Sequence, residues 1–161
     1  RSSYGLWGAG GLRYSSVGCG ELLFDAMLLE RIRAAGVLVS QICLIDADFQ
    51  EPTPPVRQAL REFADWQRAT ALMSREDPAE ILVFGHVQDY IDASSLGGRA
   101  AGCHICVHLE TLAADDRSQS SCSAECRSLG AKALVAGGIL AHLGSDSVAA
   151  WRRRAQAARP S

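Results

Sequence analysis

The stretch Leu12-Arg13-Tyr14-Ser15-Ser16-Val17-Gly18-Cys19-Gly20-Glu21-Leu22 decides how this chain is read. A short, partly polar strand from Leu12 to Val17 runs into a glycine turn. From Glu21 to Ala35 the apolar residues Leu22, Leu23, Ala26, Leu29 and Ile32 then recur on one helical face. Small residues in such a turn let the backbone approach a ligand, and the following helix offers unpaired N–H groups and the positive end of its dipole to an anion. Gly36 ends the helix where a left-handed residue is preferred, and Val37 to Ile45 reads as a buried strand stopping at Asp46.

The alternation continues outward from that unit. The proline-rich loop from Glu51 to Pro55 precedes a helix predicted over Val56 to Met73, and Asp77-Pro78 breaks the chain before a third strand, Ile81 to Phe84. A helix from Val87 to Ser95 closes at Gly97-Gly98, and Cys103 to Leu109 reads as a fourth strand. After a polar loop through Asp115 to Ser121 comes a helix from Ser123 to Leu134. Gly137-Gly138 then leads into a fifth strand, Ile139 to Leu143, and a last helix spans Ser147 to Ala158. Strands and helices in this rhythm predict an α/β fold: a Rossmann-like three-layer αβα sandwich on a mainly parallel sheet of about five strands. With no internal repeat or linker, residues 1–161 read as a single domain.

Composition narrows the function classes. A chain of 161 residues with 48% hydrophobic and 21% charged residues is neither a disordered tail nor a fibrous repeat. Its net charge of −2 supplies no basic field for a polyanion, which argues against a nucleic-acid partner. The apolar runs fall far short of the ~20 residues a membrane span needs. The first residues also lack an apolar run of signal-peptide length. Six cysteines are too few for a secreted disulfide scaffold of this size, so the thiols are expected to be reduced and the chain intracellular, soluble or peripheral.

In an open parallel sheet, ligands bind beyond the carboxyl ends of the strands where strand order reverses. There the chain offers Gly18, Cys19 and Gly20, then Asp46 and Ala47 at the end of the second strand. A carboxylate at that point can accept both hydroxyls of a ribose, so the pair of features suggests a nucleoside-containing cofactor.

Further segments extend the pattern: Phe84-Gly85-His86-Val87 after the third strand, Cys106-Val107-His108-Leu109-Glu110 at the exit of the fourth, and Leu134-Val135-Ala136-Gly137-Gly138-Ile139-Leu140 before the fifth. With Val17-Gly18-Cys19-Gly20 and Ile45-Asp46, their order resembles the class I S-adenosylmethionine-dependent methyltransferase family over nearly the whole chain. The resemblance implies S-adenosylmethionine as cofactor, bound by Gly18, Cys19, Gly20, Asp46, Ala47, His86 and Val87, the last two flanking the adenine. The segment Leu134 to Leu140 is similar to the family's Leu-x-Pro-Gly-Gly lead-in to strand five.

Departures accompany the matches. Ser16 stands where the family usually has an acid, Leu22 replaces the third glycine, and His86 replaces a common Asp. His108 and Glu110 stand in place of a recognisable methyl-acceptor motif. A full sheet of the family has two further strands, and after Leu143 only about one helix of sequence remains, so the acceptor half is absent or supplied elsewhere. The resemblance therefore implies a methyltransferase acting by in-line displacement on an unknown acceptor. Its alternative is a catalytically inactive accessory or structural subunit whose open sheet edge is covered by other protein subunits.

The remaining candidates each have a plainer reading. His108, at a strand exit, is a candidate general base, yet His104, Cys106 and His108 alternate along one face that is ordinarily packed interior. Cys103-x-x-Cys106 and Cys122-x-x-x-Cys126 fall close to a four-cysteine zinc spacing. Residues three apart on a strand point to opposite faces, however, so free thiols and no metal are expected. A nicotinamide-dependent oxidoreductase is the weaker rival, because the third glycine of Gly-x-Gly-x-x-Gly falls at Leu23 and the acid comes later than the usual ~20 positions. Arg152-Arg153-Arg154 beside Trp151 reads as a solvated face rather than a nucleic-acid platform.

Overall fold

The computed structural model describes residues 10–70, 78–95, 100–109, 124–143 and 148–152. Its strands are β1 (Leu12–Val17), β2 (Val39–Ile45), β3 (Glu80–Phe84), β4 (Cys103–Leu109), β5 (Leu134–Leu143) and β6 (Val148–Arg152). They form one six-stranded sheet in the order β3-β2-β1-β4-β5-β6, the first five parallel and β6 antiparallel to β5. The helices are α1 (Leu23–Ala34), α2 (Pro54–Thr70), α3 (Val87–Ser95) and α4 (residues 124–128), which widens into a π turn, Leu129–Ala133. The expected α/β, mainly parallel Rossmann-like architecture is what the chain adopts.

Two apolar clusters hold the helices to the sheet. On one face Tyr14, Val39, Ile42 and Leu44 pack with Leu29 of α1 and Phe63 of α2. On the other, Cys43, Ile45, Cys106 and Leu140 pack with Tyr90 and Ile91 of α3 and with Cys126 and Leu129. Leu29, Ile42, Leu44 and Tyr90 are all 0% exposed, and at about 25 cal/mol per Å² such burial is the main stabilising term.

The structure corrects three expectations. The predicted last helix is instead strand β6 over 148–152, with the rest of that prediction outside the described residues. Val148 and Trp151 favour extended backbone, and the unpaired edge of β5 offers ladder hydrogen bonds that outweigh a weak local helical preference. Second, Gly137-Gly138 lie inside β5 rather than ahead of it. Cys103 pairs with Leu134 and Ile105 with Ile139, so residues 135–138 bulge out against His104 alone. Gly137 sits at φ +83, and a Cβ on Gly138 would lie 3.0 Å from the Val135 carbonyl oxygen, which is why glycine fills both positions. Third, Cys103 and Cys106 do not part to opposite faces. Beside that bulge both enter the same cluster.

The described cysteines Cys19, Cys43, Cys103, Cys106 and Cys126 are buried, and none of them is joined in a disulfide; Cys122 lies outside the described residues. Burial pushes the Cys43 thiol up to about 12. Since only the thiolate reacts, alkylation of Cys43 by iodoacetamide at pH 8 is expected to be at least ~100-fold slower in the native chain than in urea. Peptide mass mapping over time checks this; comparable rates in both states would place Cys43 outside a stable core.

Candidate functional site

Strand order reverses between β1 and β4, so the carboxyl ends of these two strands and of β2 define the cleft side of the sheet. Gly18 follows β1 at φ +72, and its N–H donates to the Ile45 carbonyl at 2.8 Å. A Cβ there would stand 2.4 Å from the Leu109 carbonyl oxygen, so glycine alone lets β1 leave the sheet this close to β4. Gly20, at φ +50, has open space where a side chain would be.

Leu22 also has φ +65, the one positive value among the described non-glycine residues. It occupies the position where the resembled family carries its third glycine, and it keeps the glycine-like backbone. Its side chain, 2% exposed, joins the core. Burying a leucine contributes roughly 1.5–3 kcal/mol, which meets or exceeds the roughly 1–2 kcal/mol that a left-handed residue costs.

Asp46 lies against this turn. Its Oδ2 accepts from the Gly20 N–H at 2.9 Å and its Oδ1 from the Asp48 N–H at 3.0 Å, the latter capping a short 3-10 turn over Ala47–Phe49. The exit of β3 is tied in as well: the Asp46 N–H donates to the Phe84 carbonyl at 3.1 Å, and Gln50 Nε2 donates to the Gly85 carbonyl at 3.3 Å and contacts His86 Nδ1 at 3.1 Å. Residues from three separated segments, Gly18 to Gly20, Asp46 with Ala47, and His86 with Val87, thus meet along one edge of the sheet. An ionised carboxylate has about four acceptor positions, so the two backbone donors orient Asp46 and leave capacity for two more.

Beneath the turn, a buried polar pair was not singled out by the sequence reading. Tyr14 of β1 donates its hydroxyl to Asp25 Oδ1 of α1 at 2.5 Å, and both residues are 0% exposed. Burial raises the Asp25 carboxyl above its ordinary value of 3.8, and burial together with the Asp25 charge holds Tyr14 well above the phenol range. Asp25 stands in the first turn of α1, where a carboxylate suits the helix dipole. The signal was an acid set among Leu22, Leu29 and Ile32 at helical spacing on the apolar face.

His108 is buried, with Nδ1 3.0 Å from Nδ1 of His142 and Nε2 3.2 Å from Glu125 Oε2. With both ring nitrogens engaged, it faces the sheet's helix-covered side rather than an acceptor. Glu110, its sequence neighbour at this exit, lies outside the described residues. Among the described residues no helix is long and apolar enough to cross a membrane.

No protein-family model matches the chain, and no curated protein matches it in sequence. Among solved structures it is similar to the rRNA methyltransferase aviRa from Streptomyces viridochromogenes. Against the 1.5 Å structure the TM-score is 0.52 at 14% identity, covering 92% of this chain and 70% of that one. A 2.4 Å structure of aviRa gives 0.48 at 15% identity, over 84% and 66%. The likeness is one of fold alone, and it agrees with the Rossmann-like architecture that the strand order describes.

Proposed function

We propose that the chain is an S-adenosylmethionine-binding domain of methyltransferase type. The observation that carries this is the direct bond between Gly20 N–H and Asp46 Oδ2, which joins the glycine turn and the acidic strand end at the switch point of the sheet. The residues present fit the cofactor. Open space at Gly20 admits it, Asp46 keeps capacity for two ribose hydroxyls, and His86 and Val87 are the residues that the family resemblance sets beside the adenine. When bound, S-adenosylmethionine supplies a methyl group already activated as a sulfonium. Gly18, Cys19 and Gly20 then shape the backbone beside it, Asp46 and Ala47 fix the nucleoside, and catalysis rests on positioning. A base role for His108 is not carried into the proposal, because its two nitrogens are spent on His142 and Glu125.

Calorimetric titration with S-adenosylhomocysteine tests the reading. Replacing Asp46 by Ala removes at least one charge-assisted bond of roughly 1.5–3 kcal/mol, so Asp46→Ala is expected to weaken binding by at least about 10-fold. Equal affinity in parent and variant would remove Asp46 from the site. The second reading, a non-catalytic subunit, draws on Leu23, Phe24 and Met27, exposed at 69%, 40% and 56% on the first turns of α1. Such an apolar surface suits a protein partner. Absence of heat at high ligand concentration, in a folded sample, favours that reading.

A further inference from the structure

On the face of the sheet opposite α1, β4 and β5 run in register so that His108 lies beside His142. Each stands two residues beyond a core residue, Cys106 or Leu140, that packs against Cys126 and Leu129. Both imidazoles are nearly enclosed, at 5% and 9% exposure, and Cys126 at 7% comes down on them from α4. One ring nitrogen of each histidine and Cys126 Sγ lie within 4.8 Å of one another.

From this geometry we infer that His108, Cys126 and His142 form a binding site for a divalent transition-metal ion of the zinc class. Metal–nitrogen bonds of about 2.0–2.1 Å and a metal–sulfur bond of about 2.3 Å put tetrahedral ligands roughly 3.3–3.6 Å apart. The three donors therefore converge on an ion with movements of about an ångström. The Nδ1 atoms of the two histidines already stand 3.0 Å apart, close to the spacing that two nitrogen ligands take on one ion. Two imidazoles and a thiolate are the donor mix that zinc-class ions select over calcium or magnesium.

The outer contact supports the assignment independently. His108 Nε2 is 3.2 Å from the Glu125 carboxylate, the arrangement in which a ligating histidine passes its second N–H to an acid and so has its coordinating nitrogen fixed. Glu125 is 43% exposed at its side chain, so the acid of this outer contact itself meets solvent. The ion would clip β4, α4 and β5 together at the carboxyl end of the sheet. Of the described cysteines in the four-cysteine spacing visible in sequence, Cys126 enters this group, while Cys103 and Cys106 stay in the apolar cluster.

The test is titration of the metal-stripped full chain with Co²⁺, followed by displacement with Zn²⁺. One equivalent of Co²⁺ should give the visible ligand-field bands of a tetrahedral site and a near-ultraviolet thiolate charge-transfer band, both bleached by Zn²⁺. Cys126→Ser should lose the charge-transfer band, and Glu125→Gln should weaken binding about 10- to 100-fold while keeping it. His142→Gln, checked for fold by circular dichroism, should abolish the tetrahedral spectrum; Cys103→Ser should leave all of it unchanged. Failure of the folded chain to bind a stoichiometric Co²⁺ ion, or a charge-transfer band that survives in Cys126→Ser, would overturn the inference. The spectra need no nucleoside ligand, so this result and the S-adenosylhomocysteine titration stand or fall separately.

Discussion

Gly18→Val is expected to unfold about 5 to 20 °C below the parent chain. Two costs add. The residue's φ of +72 is one that a β-branched side chain rarely adopts, at roughly 1–2 kcal/mol. The new Cβ also meets the Leu109 carbonyl oxygen at 2.4 Å, and because that atom is backbone, β1 or β4 must move, at typically 1–3 kcal/mol. Together this is about 2–5 kcal/mol, and each kcal/mol shifts Tm by roughly 2–4 °C in a chain of this size. Gly20→Ala is the control: at φ +50 with nothing within 4 Å, it carries only the conformational cost, about 1 kcal/mol. Thermal unfolding followed by circular dichroism separates the two. Equal midpoints for the two variants would mean that β1 does not leave the sheet against Leu109.

Tyr14→Phe is expected to destabilise the chain by roughly 2–4 kcal/mol at pH 7 and by about 1 kcal/mol near pH 4. The phenol is the hydrogen-bond donor that the buried Asp25 carboxylate holds at 2.5 Å, and removing it leaves that charge in a dry setting. The sign follows from the direction of the Asp25 shift. Burial raises its folded pKa above 3.8, so the protonated form is the one that folding favours. That favourable contribution is complete below the unfolded pKa and is lost as pH rises through the folded one. Without the Tyr14 hydroxyl the folded pKa rises further, so the variant's stability falls more steeply from about pH 4 upward. Asp25→Asn keeps an oxygen for Tyr14 and removes the charge, and its stability should vary less with pH than the parent's. Urea unfolding at several pH values measures all three; a Tyr14→Phe penalty that does not change with pH would show Asp25 to be uncharged throughout.

Local sequence carried most of the frame because each cue acts over a few residues. The glycine turn, the buried run of β2 and the helices before and after it depend on periodicity and on Gly and Pro positions, and they fall within a few residues of the expected limits. Cues that depend on distant chain were missed. Strand β6 forms because β5 leaves an edge to pair with, which the stretch from Val148 to Arg152 does not reveal by itself. The β4–β5 register is irregular between Cys103 and Ile105, and Cys103 shares the Cys106 cluster, so a strict alternation rule applied to β4 alone places it wrongly.

The site shows the same division. Gly18, Gly20 and Asp46 announce themselves by residue type at strand ends, and the fold brings them into contact. His142 does not. Its meaning appears only when β4 and β5 are laid side by side, where the matching endings Val107-His108-Leu109 and Ala141-His142-Leu143 put two imidazoles in one row. Asp25 was legible in principle as an acid on an apolar helical stripe, but its partner Tyr14 is supplied by a neighbouring strand.

The most direct test of the central proposal is hydrogen–deuterium exchange of the chain with and without saturating S-adenosylhomocysteine. The account predicts added protection in three segments, residues 17–21, 45–48 and 84–87, with little change in α2 or at Cys103 to Cys106. Exchange that is identical in both states, or protection confined to the exposed start of α1 around Leu23 and Met27, would contradict it.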